Sequence, residues 1–277
     1  MRLKRVGVIG AGGIAELALT ALTNGIREPL ECVSILVPVE VVEQAETLLE
    51  KLGGRLSRER RVRTNILSFL ADQPEVVAEC ASHAALRTFG LDIMRAGCDL
   101  LVISIGALAD DELRKQLEHE ASKGAGRIVL APGAIGGIDA LSAARLSGIH
   151  EVVYTGRKPP KAWFNTAAEK VIDLDSLDQA ITFFEGTARS AAVDFPFNAN
   201  VTATLALAGV GFDETKVRLV ADPSIEINVH EFSVRANCGN VTVKIEGLPS
   251  KSNPKTSQIA GYSVARELLN RTGSIII

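Results

Sequence analysis

Near the start of a 277-residue chain, the apolar run Val6-Gly7-Val8-Ile9 passes directly into Gly10-Ala11-Gly12-Gly13-Ile14-Ala15. An apolar strand feeding a glycine turn and then a helix is the arrangement a bound pyrophosphate needs. Gly10 permits the tight turn, Gly12 lets the backbone approach the phosphates, and the small Ala15 lets the helix pack on the strand while its first N–H groups face the anion. The text is GxGxxA rather than GxGxxG, and many glycine loops only turn the chain. Its position immediately after an uninterrupted strand favours dinucleotide binding by Gly10, Gly12, Gly13, Ile14 and Ala15.

The first half of the chain continues in the same rhythm. Strand-like runs at 6–9, 32–37, 61–66, 75–80, 99–104 and 127–131 alternate with helical periodicity at 13–24, 39–51, 84–96 and 110–123, with Asp110 as the cap of the last helix. That alternation predicts an α/β fold in which a doubly wound parallel sheet of Rossmann type is covered on both faces. After Gly137 the rhythm stops. A helix at 139–146 and a strand at 151–156 lead to runs at 216–220, 224–236 and 240–246 that read as antiparallel sheet, and a helix at 256–270 ends the pattern. The expected organisation is an NAD(P)-binding domain at 1–138, a smaller α+β substrate and catalytic domain with a mixed or antiparallel sheet at 139–250, and a C-terminal helix within 255–272 packing back on the first.

Composition narrows the function classes. Hydrophobic residues make up 47% of the chain, enough for two cores, while a net charge of −3 without a basic block argues against nucleic acid or anionic membrane as a partner. No signal segment is read before the first strand and no apolar stretch has the length of a membrane span, so a cytoplasmic protein is expected. Cys32, Cys80, Cys98 and Cys238 show no metal-ligand spacing and read as buried reduced thiols, those at 80 and 98 with raised pKa.

In doubly wound sheets the ligand lies over the carboxyl ends of the strands. There the chain reads Ala81-Ser82-His83, Ser104-Ile105-Gly106-Ala107 and Pro132-Gly133-Ala134-Ile135-Gly136-Gly137, small residues against which a flat ring can lie. Ser82 and His83 are therefore candidate cofactor contacts, with ordinary strand-to-helix turns as the alternative. The second strand ends in Val37-Pro38 without the acidic residue that would bind a ribose 2′-hydroxyl. Glu40 is the nearest carboxylate, so NAD is preferred and NADP stays open.

Four histidines are available for proton transfer. His119 and His150 read as surface residues, and His83 has no acidic neighbour in sequence. His230 lies in Asn228-Val229-His230-Glu231-Phe232, where alternation places Asn228, His230 and Phe232 on one face. That face is either an active-site wall or the sheet's solvated side. Asn198 and Asn200 precede and open an apolar helix at 201–208. Capping explains the first, and a carboxamide that donates and accepts suits a nicotinamide amide or a substrate.

Together these segments resemble the L-aspartate dehydrogenase family, through GAGGIA at 10–15, APGAIGGIDAL at 131–141, FPFNANVTATLALAG at 195–209 and ADPSIEINVHEF at 221–232. The resemblance implies an N-terminal Rossmann domain binding NAD or NADP, a second domain supplying the substrate wall, and association into a homo-oligomer, a dimer. It implies oxidation of L-aspartate to iminoaspartate, which yields oxaloacetate and ammonia or feeds NAD biosynthesis through quinolinate. His230 matches the family's catalytic histidine, and Ala134 and Asn200 match its cofactor contacts. Pro132 departs from the serine usual there. Arg157, Lys158 and Lys255, with Asn198, are candidates for the substrate, whose two carboxylates need cations or N–H donors. The imidazole is expected to meet a nicotinamide ring lodged over the first sheet.

Three other readings compete. A dihydrodipicolinate-reductase-like imine reductase would carry adjacent histidines with a lysine, whereas His230 is followed by Glu231. An aspartate-semialdehyde dehydrogenase needs an activated cysteine, and a non-catalytic NAD(P)-binding sensor would share the fold without turnover.

Overall fold

The structure, a computed structural model, describes residues 3–124, 126–196, 199–249 and 257–276. The chain divides into two compact units, Met1–Ala131 with Ala260–Ile277, and Pro132–Ile259. The division falls seven residues before position 138, because the turn at 132–137 belongs to the second unit, where Gly137 lies against Val243 and Phe232.

In the first unit β1 (Arg5–Ile9), β2 (Leu30–Leu36), β3 (Ser57–Arg63), β4 (Val76–Glu79), β5 (Asp99–Val102) and β6 (Ile128–Leu130) form a parallel sheet in the order β3-β2-β1-β4-β5-β6. The order reverses between β1 and β4, whose register is Val6↔Val76 to Ile9↔Glu79. Strands buried on both faces read as near-continuous apolar runs, which is why β1 and β2 were legible. The crossovers are α1 (Gly13–Gly25), α2 (Val42–Leu56), α3 (Ile66–Leu70), α4 (His83–Arg95) and α5 (Asp111–Ser122). Ala45, Leu48, Leu49, Leu52 and Leu56 give α2 its buried stripe. Asp110 caps α5, accepting from the amides of Glu112 at 3.1 Å and Leu113 at 3.2 Å.

β3 lies four residues earlier than the expected 61–66, and α3 follows it. Asn65 ends the strand by accepting the Ser68 amide at 2.9 Å as the helix cap. The strand is an edge and tolerates Arg58, Glu59, Arg60, Arg61 and Arg63, so hydrophobicity could not locate it. Buried Asp72 holds that edge, accepting from Ser34 Oγ at 2.7 Å and Arg63 Nε at 3.0 Å and pairing with Arg61.

In the second unit β7 (Ile149–Lys158), β8 (Ile181–Thr187), β9 (Lys216–Ala221), β10 (Asn228–Ala236) and β11 (Gly239–Gly247) form a sheet in the order β11-β10-β7-β9-β8. Only the β7–β9 pairing among them is parallel. The helices are α6 (Ile138–Ser147), α7 (Ala188–Asp194) and α8 (Ala199–Ala208), and α9 (Gln258–Asn270) returns the chain to the first core through Ala260, Val264 and Leu268. β8 escaped the sequence pattern because consecutive Phe183 and Phe184 break the alternation, and the pairing with β9 slips between Thr182 and Phe184. β10 starts at Asn228, not at 224, since the Ser224 amide and hydroxyl donate to Asp222 Oδ1 at 2.9 and 2.6 Å and form a turn there. Cys32, Cys80 and Cys98 are buried as expected, whereas Cys238 is exposed in the β10–β11 turn. No helix of the described residues is long and apolar enough to cross a membrane.

Candidate active site

In the first unit the glycine loop lies at the carboxyl end of β1. Gly10 has φ +94°, and a Cβ there would stand 3.0 Å from the Ala81 side chain, so the turn requires glycine. Gly12 is the N-cap of α1 and has no side-chain cap bond among the described residues. No described heavy atom lies within 4 Å of where its Cβ would be. The open backbone at a helix start is a cradle into which a phosphate fits and a side chain would intrude. Gly13, Ile14 and Ala15 open the helix, with Ala15 fully buried.

Ser82 caps α4, its Oγ accepting the Ala85 amide at 3.1 Å, and His83 is the first residue of that helix and half-buried. A cavity of about 490 Å³ opens beside Ala11, lined by Glu16, Glu40, Glu43 and Lys51. Lys51 is engaged with Glu16 at 2.9 Å. Glu40 is exposed in the short helical turn Val39–Val41 just after β2.

In the second unit His230 is only 6% exposed, which removes the solvated-face alternative. β10 alternates as expected, with Asn228, His230 and Phe232 on the buried face and Glu231 and Ser233 exposed. The β7 register sets His230 opposite Gly156, and β7 buries Tyr154, Gly156 and Lys158 on that same face. The Tyr154 hydroxyl lies 2.8 Å from His230 Nδ1. It reaches that position over Gly156, where a Cβ would stand 2.7 Å from the hydroxyl oxygen.

Burial, followed by the positive charge of Lys158, lowers the His230 pKa to about 3, so the imidazole is neutral at physiological pH. Burial likewise pushes the Tyr154 phenol well up, and it stays protonated. Lys158 is 8% exposed with its Nζ 5.1 Å from the centroid of the Trp163 ring.

The two adjacent cations separate. Arg157 pairs with Val229 and projects from the other face, where its Nη1 donates to Asp222 Oδ2 at 2.7 Å. Lys158 alone of the two shares the His230 face. Asn200 lies in α8, half-buried, its backbone carbonyl accepting Thr204 Oγ1 at 2.8 Å. Ala134 is half-buried in the turn before α6. Asn198 and Lys255 lie outside the described residues. His119 is exposed, and exposed His150 pairs through Nε2 with Asn237 Oδ1 at 2.8 Å, as surface residues. No cluster of three or more metal-ligating side chains occurs among the described residues.

Sequence reasoning missed Tyr154, Gly156 and the Arg157–Asp222 pair, because each depends on the β7–β10 register or on a turn that no local pattern reveals. The alternation of β7 carried a usable signal, since it places residues 157 and 158 on opposite faces.

Two family models match the chain: the aspartate dehydrogenase C-terminal domain over residues 139–271, and the homoserine dehydrogenase NAD-binding domain over residues 10–131. An L-aspartate dehydrogenase of Ralstonia nicotianae is 43% identical over 98% of this chain and 99% of its own length. One from Pseudomonas aeruginosa is 42% identical over 98% of each. The crystal structure of aspartate dehydrogenase from Thermotoga maritima superposes with a TM-score of 0.74 at 27% identity, covering 100% of both chains. A dihydrodipicolinate reductase from Paenisporosarcina shares the fold at TM-score 0.54 and 14% identity, over 99% of this chain and 96% of that one.

Proposed function

This chain belongs to the L-aspartate dehydrogenase family, and from that premise we propose that His230 accepts the proton that the substrate nitrogen gives up. The activity is the NAD(P)-dependent oxidation of L-aspartate. The bound nicotinamide supplies the hydride acceptor, and the chain must hold the substrate, keep bulk water out and move one proton. The Cα–H bond breaks as hydride, the amine loses a proton, and the imine then takes up water to give oxaloacetate and ammonia.

The observation that carries the assignment is the buried His230–Tyr154 pair. With Nδ1 engaged by the phenol, Nε2 is the nitrogen left for the substrate. A neutral imidazole has its lone pair ready, but burial makes it a weak base. A dicarboxylate arriving beside it brings negative charge and neutralises Lys158, both of which raise the imidazole's pKa toward the range where general-base catalysis is effective. Lys158 is accordingly read as the cation for one substrate carboxylate, and Ala134 and Asn200 as cofactor contacts.

On the cofactor, NAD is the preferred form. The carboxylates of Glu40 and Glu43 border the cavity after β2, where a nucleotide fold places the adenosine ribose. Their charge accepts hydroxyls and repels a 2′-phosphate. Imine that leaves the site before hydrolysis would supply quinolinate formation, and hence NAD biosynthesis, as the matching physiological role.

The test is absorbance change with NAD and NADP against L-aspartate, L-glutamate, L-alanine and aspartate semialdehyde. His230→Ala is expected to lose roughly 10²–10⁴ in turnover with L-aspartate while binding NAD nearly as the parent does. Undiminished turnover would remove His230 from the mechanism.

A further inference from the structure

Glu79, the last residue of β4, is fully buried without a cationic side chain among its described hydrogen-bond partners. Its Oε1 accepts the amides of Ala81 and Ser82, both at 2.8 Å, and Ser104 Oγ at 3.1 Å. Its Oε2 accepts the Ser104 amide at 3.0 Å. Two oxygens with four described donors, three of them on Oε1, form the hydrogen-bond shell of an ionised carboxylate. Burial is the larger effect and leaves the pKa of this carboxyl raised, while the four donors act against that penalty and favour the anion.

The placement gives the charge a use. Ala81 and Ser82 lie in the chain just after β4, and Ser104 in the chain just after β5, so one side chain ties together two neighbouring loops at the carboxyl edge of the sheet. Ala81 is also the residue against which Gly10 turns. The tie therefore sits beside the glycine loop at the β1–β4 reversal, over which a dinucleotide lies, with its second half on the β4–β5 side. Donors on both oxygens call for a carboxylate, since a carboxamide would turn its NH₂ toward one of them, and an anion sealed from water also acts at a distance on whatever is bound above it.

We propose that Glu79 is a positioning residue for the cofactor, shaping the loops at 81–82 and 104 and, through its buried negative charge, favouring the oxidised, cationic nicotinamide over the reduced, neutral one. This rests on the proposed cofactor binding, with the nicotinamide end lying over these loops. Oxidation of an amino acid begins with the oxidised cofactor, and the charge biases the enzyme toward holding that form.

The experiment measures the dissociation constants of NAD⁺ and NADH, the latter by its fluorescence and the former by competition, for wild type, Glu79→Gln and Glu79→Asp. In Glu79→Gln the ratio Kd(NAD⁺)/Kd(NADH) is expected to rise about tenfold, the loss of one screened charge–charge attraction. Equal weakening of both forms, with the ratio unchanged, overturns the electrostatic assignment. Glu79→Asp keeps the charge and shortens its reach, so both affinities should fall while the ratio stays within about twofold of wild type. This variant decides the matter if Glu79→Gln does not fold: a shifted ratio with the charge retained, or two unaltered affinities, overturns the proposal. Absence of NAD⁺ binding by the wild type overturns this inference and the cofactor reading together, whereas binding with an unaltered ratio in Glu79→Gln overturns this inference alone.

Discussion

The Tyr154 hydroxyl and His230 Nδ1, 76 residues apart in sequence, lie 2.8 Å from one another on the buried face of the second sheet. For Nε2 to take the substrate's proton Nδ1 must carry the other, and the phenol oxygen can accept from that N–H in both the neutral and the protonated imidazole, so no buried nitrogen is left unsatisfied. Tyr154→Phe removes that partner and leaves Nδ1 to carry its proton into an apolar setting, a cost of about 1–3 kcal/mol. The expected result is a fall in kcat with L-aspartate of about tenfold to hundredfold, NAD binding unchanged, and an acid limb of the pH–rate profile displaced downward, since a less basic imidazole takes up its inactivating proton only in more acid solution. A variant with the parent's profile would leave Tyr154 as packing alone.

Gly156 provides an independent handle on the same pair. A methyl group there would stand 2.7 Å from the Tyr154 oxygen and 3.2 Å from Cζ, so Gly156→Ala must displace the ring from its position over the strand. Turnover is expected to fall to about the level of Tyr154→Phe, and the double variant to be no worse than either single one, because the two changes remove one interaction. Additive losses would show that Gly156 acts elsewhere. Steady-state kinetics on the three proteins decides this.

The two cations at the end of β7 are expected to behave differently. Lys158→Met should raise KM for L-aspartate by about tenfold or more, as loss of a charge-assisted hydrogen bond does, with little change in NAD affinity. Arg157→Met should leave KM nearly unchanged and instead lower the melting temperature, because Arg157 is committed to Asp222 and the turn that starts β10. The reverse pattern would place the substrate on the other face of the sheet.

Much of this was readable before any coordinates. The glycine turn, the alternation of strands and helices through residue 131, and the face shared by Asn228, His230 and Phe232 are local patterns of period 2 or 3.6, and local patterns survive in the sequence. What was illegible is set by pairing. Tyr154 meets His230 only because β7 and β10 run antiparallel in one particular register. Glu79 looks like a stray acid in an apolar run until the loops after β4 and β5 wrap round it. β3, an arginine-rich edge, and β8, with two adjacent phenylalanines, broke the pattern for opposite reasons: one has too little apolar surface to announce a strand, the other too much on both sides.

Cofactor choice has its own check in the acidic border of the cavity after β2. Glu40→Lys replaces an exposed carboxylate by an ammonium and should shift kcat/KM from NAD toward NADP, by about tenfold in the ratio, with kcat for L-aspartate little altered. The ratio should also move with ionic strength, since the group is exposed and screening acts on it fully. An unchanged ratio would mean that the ribose lies outside the reach of Glu40.

Acid stability offers a test of His230 that needs no substrate. The unfolded imidazole titrates near 6.5 and burial brings the folded one down to about 3, so between these values the unfolded chain binds a proton that the native one does not. The contribution is therefore fully present above pH 6.5 and is lost as pH falls toward 3, at about 1.4 kcal/mol per unit within that window. Asp72 acts in the same direction at lower pH: burial disfavours its anion, but hydrogen bonds from Arg63, Ser34 and Arg61 bring it from 3.8 to about 2, and its contribution disappears between those values. From pH 7 to pH 4.5 only the imidazole of this pair is in its window. His230→Gln has no such group, so its melting temperature is expected to fall less over that range than the wild type's, by about 4–10 °C, for roughly 2–3 kcal/mol. Parallel curves for the two proteins would mean that the imidazole is hydrated and titrates normally in solution, in which case it needs no substrate charge to become an effective base and the role given to Lys158 in tuning it would fall.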